Sequence, residues 1–215
     1  MSDSAEALYI RESAILFQQY REVVKPLLAL VEAVYEKFPI PVYNEVRAFT
    51  DHLSRCYGED GAMKSADDVR DQLEKASHHI KRTIYDLYKL LIISGKKELE
   101  SFERRTRRLD LRTVDSDGSF SAEFIRMREQ AIELTVNAKM IEAKGDAGAA
   151  YEAYDKAYLA YLALHKLIIN NGPRIRYAKA KWYVSKLGTV IAFVIGAVLS
   201  PYIESAWRTL VEALF

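Results

Sequence analysis

Apolar positions recur along this chain at the three- and four-residue spacing of helices, and no stretch shows the two-residue alternation of a half-buried strand. From Ser4 to about Lys37, the positions Leu8, Ile15, Tyr20, Val23, Leu27, Leu30, Val34 and Phe38 predict a first helix. Pro26 should kink or break it, because a proline inside a helix lacks the N–H and crowds the preceding turn. Pro39-Ile40-Pro41 reads as a connector. A second helix is expected over about Val42 to Tyr57, with Val42, Val46, Phe49 and Leu53 as its buried stripe.

After a loop over Gly58 to Lys64, Ser65 with Asp68 three residues on has the spacing of a capping box. It should open a third helix that buries Val69, Leu73, Ala76, Ile80, Ile84, Leu87 and Leu91, with Gly95 placed to end it. A highly charged helix follows from Lys96 to Arg112, then a turn-rich break at Asp115 to Gly118. Two more helices, about Ser121 to Lys144 and Ala147 to Ile169, flank Gly145-Asp146. Within them Ala138, Ile141, Gly145, Ala150, Tyr154 and Ala157 resemble the pattern of one tetratricopeptide repeat. A solenoid needs about three copies, so a plain αα-hairpin is the expected form. Tyr151, Tyr154, Tyr158 and Tyr161 fall at helical steps and read as helix–helix contacts.

Beyond Asn170-Asn171-Gly172-Pro173 the pattern changes. Leu187 to Ile203 carries no charge, and its length sits at the lower limit for crossing a hydrocarbon layer of about 30 Å. Trp182 and Tyr183 precede it, and Tyr202 and Trp207 follow, as water–lipid interfaces favour. Gly188, Gly196 and Pro201 are tolerated better in lipid than in a soluble helix. A buried core helix is the alternative. Arg174, Arg176, Lys179, Lys181 and Lys186 crowd the upstream flank, which puts the N-terminal part in the cytoplasm by the positive-inside rule. The expected location is therefore the inner membrane, crossed once, with a tail whose Trp207, Leu210, Val211 and Leu214 share one face. The expected organisation is a bundle over 1–114, the hairpin over 115–172 and the membrane segment over 173–215.

Composition adds exclusions. Of 215 residues half are hydrophobic, ample for a core, and the net charge of +1 gives no global field for nucleic acid. The one cysteine, Cys56, has no internal disulfide partner. Residues 1–11 lack the basic and apolar regions of a signal peptide. There is no glycine-rich phosphate loop, HExxH, CxxC or G-x-S-x-G, so no cofactor or metal is expected. His78 and His79, adjacent on a helix, point apart.

Two polar groups stand out. Arg47, Asp51, His52 and Arg55 lie on the second helix, and His79, Arg82 and Asp86, with Lys75, on the third. An antiparallel pairing of these helices would bring the two groups together. Arg47 and His52 lie about 140° apart around the helix. Arg47 and Asp51 as an i,i+4 pair, with His52 bordering the core, is the plainer alternative. Farther on, Arg104, Arg105, Arg107 and Arg108, with Arg112, could bind RNA phosphate or anionic headgroups. The interleaved Glu98, Glu100, Glu103 and Asp110 favour intrahelical pairs instead.

The phrase NEVRAFTDHLSRCY at 44–57, with Arg47 and His52 in the order R-x4-H, and the helix SHHIKRTIYDLYK at 77–89 resemble the HEPN superfamily. The resemblance spans about residues 40 to 95. It implies an all-α, up-down HEPN-like bundle, here joined to the αα-hairpin and one C-terminal transmembrane helix. It also implies metal-independent RNA cleavage at a site paired across a dimer, with His52 as general acid/base and Arg47 as phosphate clamp. Membrane-associated HEPN-like proteins occur in antiviral loci. The leading expectation is thus an antiviral effector that oligomerises at the inner membrane and disturbs it, with cleavage of RNA as a further activity. The partners are the bilayer, further copies of the chain, RNA and another defence protein. Two alternatives stay open: a non-enzymatic docking protein that uses the hairpin, and a sensor binding a nucleotide through the Arg47–Arg82 region.

Overall fold

A computed structural model of the chain describes residues 4–35 and 39–214. Phe38 and the side chain of Leu214, both assigned to apolar faces above, lie outside the described residues. The architecture is all-α, and the extended pairing among the described residues is an isolated antiparallel bridge between Tyr57 and Met63. The helices are α1 (Ala5–Gln19), α2 (Lys25–Tyr35), α3 (Ile40–Ser54), α4 (Ala66–Thr106), α5 (Ser119–Ala143), α6 (Ala147–Asn170) and α7 (Gly172–Leu214). The chain divides into two compact units, Met1–Ser101 with Ile125–Lys166, and Phe102–Phe124 with Leu167–Phe215.

In the first unit, Ser4 caps α1 by accepting a hydrogen bond from the Ala7 N–H. Between α1 and α2 the expected break at Pro26 is replaced by one π-helical turn, Tyr20–Val24, in which Lys25 N–H reaches the Tyr20 carbonyl. The wider turn re-registers the ladder just ahead of the residue that cannot donate, so α1 runs into α2 without an intervening loop. The buried positions here are Leu8, Leu16, Val24 and Val31, whereas Ile15 and Val34 are 48% and 42% exposed. The expected stripe was out of phase beyond Leu8, because apolar residues occur on several sides of this segment. α3 starts at Ile40, two residues before the expected Val42. Pro39 is its N-cap and Pro41 sits in its first turn, where the missing N–H costs nothing.

Ser65 opens α4 as expected. Its hydroxyl accepts from the Asp68 N–H at 3.2 Å and donates to the Asp68 carboxylate at 2.6 Å. All seven residues of the expected seam, Val69 to Leu91, are buried. Gly95 does not end the helix, and α4 absorbs the first half of the charged segment without interruption. A Cβ on Gly95 would lie 3.0 Å from the Tyr161 Cβ and 3.1 Å from its Cγ, so the glycine admits α6 to close approach. The tyrosine steps of α6 are helix–helix contacts as expected. Tyr88 of α4 packs edge-on against Tyr151 at 5.7 Å and donates to Asp155 at 3.0 Å, and Tyr85 meets Tyr154.

In the second unit, Phe102, Phe120 and Phe124 form an aromatic cluster with ring centroids 5.2 and 6.1 Å apart along the series Phe102–Phe124–Phe120. Asp115 opens α5 by accepting from the Phe120 N–H at 2.7 Å and the Ser119 hydroxyl at 2.9 Å. Gly118 takes a φ of 73°, which a side chain would strain. α7 begins after a one-residue break at Asn171, whose side-chain amide donates to the Leu167 carbonyl at 3.0 Å. Pro173 falls in its first turn. The helix then runs unbroken through the basic segment, the apolar run, Pro201 and the tail.

That run is one helix long and apolar enough to cross a membrane, with a mean hydropathy of 1.8 over its most apolar window, none of it buried within the chain. The run is not packed as a core helix of its own chain: Phe193 is 76% and Ile203 65% exposed.

Candidate functional site

The strongest convergence of polar side chains in the first unit lies between α3 and α4. Glu45 and His52 are seven residues apart on α3, and Gln72 and His79 are seven apart on α4, so each pair occupies one face two turns apart. Antiparallel packing turns the two pairs into a ladder. His52 Nδ1 meets Gln72 Oε1 at 2.8 Å, and His79 Nδ1 meets Glu45 Oε2 at 2.6 Å. Between these rungs the imidazoles of His52 and His79 stack with centroids 5.1 Å apart and planes 19° from parallel. Both histidines are half-buried. Directly beneath, the fully buried Thr83 returns its hydroxyl hydrogen to the His79 carbonyl at 2.8 Å.

The network assigns the ring protons. Gln72 Nε2 donates to Asp71 at 2.9 Å, which leaves Oε1 as the acceptor and makes Nδ1 of His52 the donor. The Glu45 carboxylate fixes a proton on Nδ1 of His79 in the same way. Nε2 of each ring lies outside the two rungs. Outside the ladder, Lys75 at 2.6 Å holds the Asp71 carboxyl below the usual carboxylate range.

The other expected site residues are distributed differently. His52 and His79 do meet across the helices. Arg47 is exposed and lies away from the face shared by Glu45 and His52. Asp51 pairs with Arg55 at 2.8 Å, not with Arg47 as the i,i+4 alternative had it. Arg82 is exposed. Asp86 is half-buried beside Lys89 at 3.6 Å, and burial pushes its carboxyl up despite that cation. Glu45 and Gln72 were missed in the sequence. The only signal that could have found them was their seven-residue spacing from the two histidines.

A separate network surrounds Tyr154, which is fully buried. Its hydroxyl donates to Glu142 at 2.5 Å, and Lys89 meets the same carboxylate at 2.7 Å. Burial works against the Glu142 charge, yet these two donors outweigh it and hold the carboxyl below its ordinary value.

In the second unit, Arg104 and Arg105 end α4, and Arg107 and Arg108 occupy the turn after it, all exposed. The expected intrahelical pairing does not engage them. Asp110 pairs instead with Arg112 at 2.8 Å, and Glu98, in the first unit, with His165 at 2.7 Å. Among the described residues no group of three or more His, Cys, Asp or Glu side chains is placed to hold a metal ion. Comparison with protein-family models, with curated proteins and with solved structures finds no match.

Proposed function

We propose that this chain is a single-pass protein of the bacterial inner membrane, an effector that associates with further copies of itself there and keeps its N-terminal part in the cytoplasm. The observation that carries this reading is the apolar stretch of α7, which packs against nothing in its own chain. An exposed apolar surface of that extent is not left in water. Five cations on its near side and aromatic residues at both ends support the orientation. Self-association is supported by a ridge of small residues at four-residue steps, Gly188, Ala192, Gly196 and Ser200, of the kind that lets membrane helices approach closely. The two glycines have open space around their Cα atoms. The resemblance to HEPN-like proteins extends the reading to antiviral defence.

The test is extraction with alkaline carbonate, combined with labelling by a membrane-impermeant maleimide. Cys56 is fully buried and gives no background. A cysteine placed in the tail at position 206 is expected to label in intact spheroplasts, while the chain stays in the carbonate pellet. Release into the supernatant would refute the reading.

A second reading is favoured by the stacked histidines. Two half-buried imidazoles, one oriented by a carboxylate and one by an amide, form an acid–base pair suited to transferring protons at an RNA 2′-hydroxyl and a leaving oxygen. Removing either imidazole, in His52→Ala or His79→Ala, should then lower metal-independent cleavage by at least about 100-fold. Toxicity on expression should need both His52 and the α7 span. Unchanged cleavage in both variants rules this chemistry out.

A further inference from the structure

The turn after α4 and the first half of α7 enclose a cavity of about 560 Å³. Arg104, Arg105, Arg107 and Arg108 line it from one side, and Lys179, Trp182 and Tyr183 from the other. Among the described residues no ion pair joins any of the four arginines to a carboxylate, and Asp110 in the same turn is engaged by Arg112. Lys179 and Trp182 are half-buried. The Trp182 indole meets Tyr183 edge-on at 5.0 Å and carries Lys186 over its face at 6.0 Å. Five cationic groups therefore converge on a concave, aromatic-floored space, and the partial negative charge at the α4 C-terminus helps to hold them there.

The position of this space along α7 is informative. Trp182 lies five residues before Leu187, a rise of about 7.5 Å, and Lys179 about 12 Å before it. The headgroup layer outside the hydrocarbon is about 5–8 Å deep on each face. With the apolar run in the bilayer, the aromatic floor falls among the headgroups and the Lys179 backbone about 4 Å or more beyond them, a gap its long side chain can span.

We propose that this cavity binds the phosphate-bearing headgroup of an anionic phospholipid. The inference rests on the membrane reading of α7 and adds a ligand to it. Guanidinium forks match phosphate oxygens bidentately, and tryptophan and tyrosine rings are suited to the boundary between headgroup and acyl chain. An RNA strand would call for a basic track along its length, whereas here the cations close around one pocket beside the headgroup layer.

The test uses the full chain in a neutral maltoside detergent with Trp207→Phe, so that Trp182 is the remaining tryptophan. Its fluorescence is followed during titration with dioctanoyl phosphatidylglycerol, dioctanoyl phosphatidylcholine, inorganic phosphate and a short single-stranded RNA. Saturable binding of phosphatidylglycerol is expected, at least about tenfold tighter than phosphatidylcholine and weakened by salt. Each cation removed should weaken it roughly fivefold, so Arg105→Gln/Arg108→Gln should lose about 25-fold and Lys179→Gln about fivefold. Circular dichroism checks that these variants keep their helices, and Lys179→Gln tests the site from a different helix. Equal response to both lipids, insensitivity to all three substitutions, displacement by inorganic phosphate as strong as by the lipid, or tighter binding of RNA would each overturn the proposal. Carbonate extraction of the same variants separates the two claims. A chain that stays in the membrane but ignores headgroup charge refutes the site alone, and a chain released from the membrane refutes the anchor itself.

Discussion

At the scale of single residues, the clearest physics lies around Lys89, which serves two carboxylates with opposite tendencies. Asp86 is pushed up by burial, helped by the nearby charges of Glu45 and Glu142, so its ionised form is a burden near neutrality. Glu142 is held down by Lys89 and Tyr154 in spite of burial, so its ionised form is favoured by folding. The signs follow from linkage. The raised group costs stability at neutral pH, and the cost fades as pH falls through its folded value. The depressed group contributes stability above its unfolded value of 4.5, lost as pH falls below that. Asp86→Asn is therefore expected to raise the thermal midpoint at pH 7 and Glu142→Gln to lower it. Both differences should shrink on acidification, as read from thermal unfolding in detergent between pH 7 and pH 3. The histidines of the ladder were legible in the sequence as unusual polar residues beside an apolar seam. Their partners were not, because Glu45 and Gln72 acquire meaning only from the register of α3 against α4, and nothing local encodes that register.

At the scale of elements, regular stripes were easy to read and crowded ones were not. α4 carries one narrow apolar seam, and each of its expected positions is buried. The N-terminal segment is apolar on several sides, and the π-turn at Tyr20–Val24 shifts its phase, so periodicity alone chose the wrong neighbours. Gly95 shows the same ambiguity at one position. A glycine inside a helical pattern can end the helix or admit a neighbour, and only the packing of Tyr161 decides. Gly95→Ala should gain up to about 1 kcal/mol of helix propensity but lose about 1–3 kcal/mol to crowding against an immobile Cβ. The expected outcome is a net loss near 1 kcal/mol. Gly148→Ala, on the exposed first turn of α6 and with only an Asp146 oxygen 3.9 Å away, should be neutral or gain up to about 1 kcal/mol. Chemical denaturation of the two variants in parallel checks the contrast.

At the scale of the whole molecule, the long apolar helix was the most legible feature, since seventeen uncharged residues with flanking cations need no tertiary context to be recognised. Units assembled from separate stretches are not read from chain order, and the second unit joins two stretches far apart in the chain. The basic cavity escaped for the same reason: Arg104–Arg108 and Lys179–Tyr183 are some seventy residues apart and become neighbours only in the fold. For self-association, the expectation is that Gly196→Leu weakens cross-linking between copies in membranes while leaving carbonate resistance unchanged. Equal cross-linking of wild type and variant would exclude the ridge as the contact.

The unbroken course of α7 has a rotational consequence. With about 100° of turn per residue, Gly188 lies half a revolution from Lys179, and the ridge turns by about 40° at each step from there, about 120° by Ser200. No loop intervenes to let the upper part of the rod swivel independently of the lower. Two rods seated back to back near Gly188 would turn their lysines outward, toward surrounding lipid. Crowding copies together in the plane would then leave their phosphate pockets open to the bilayer.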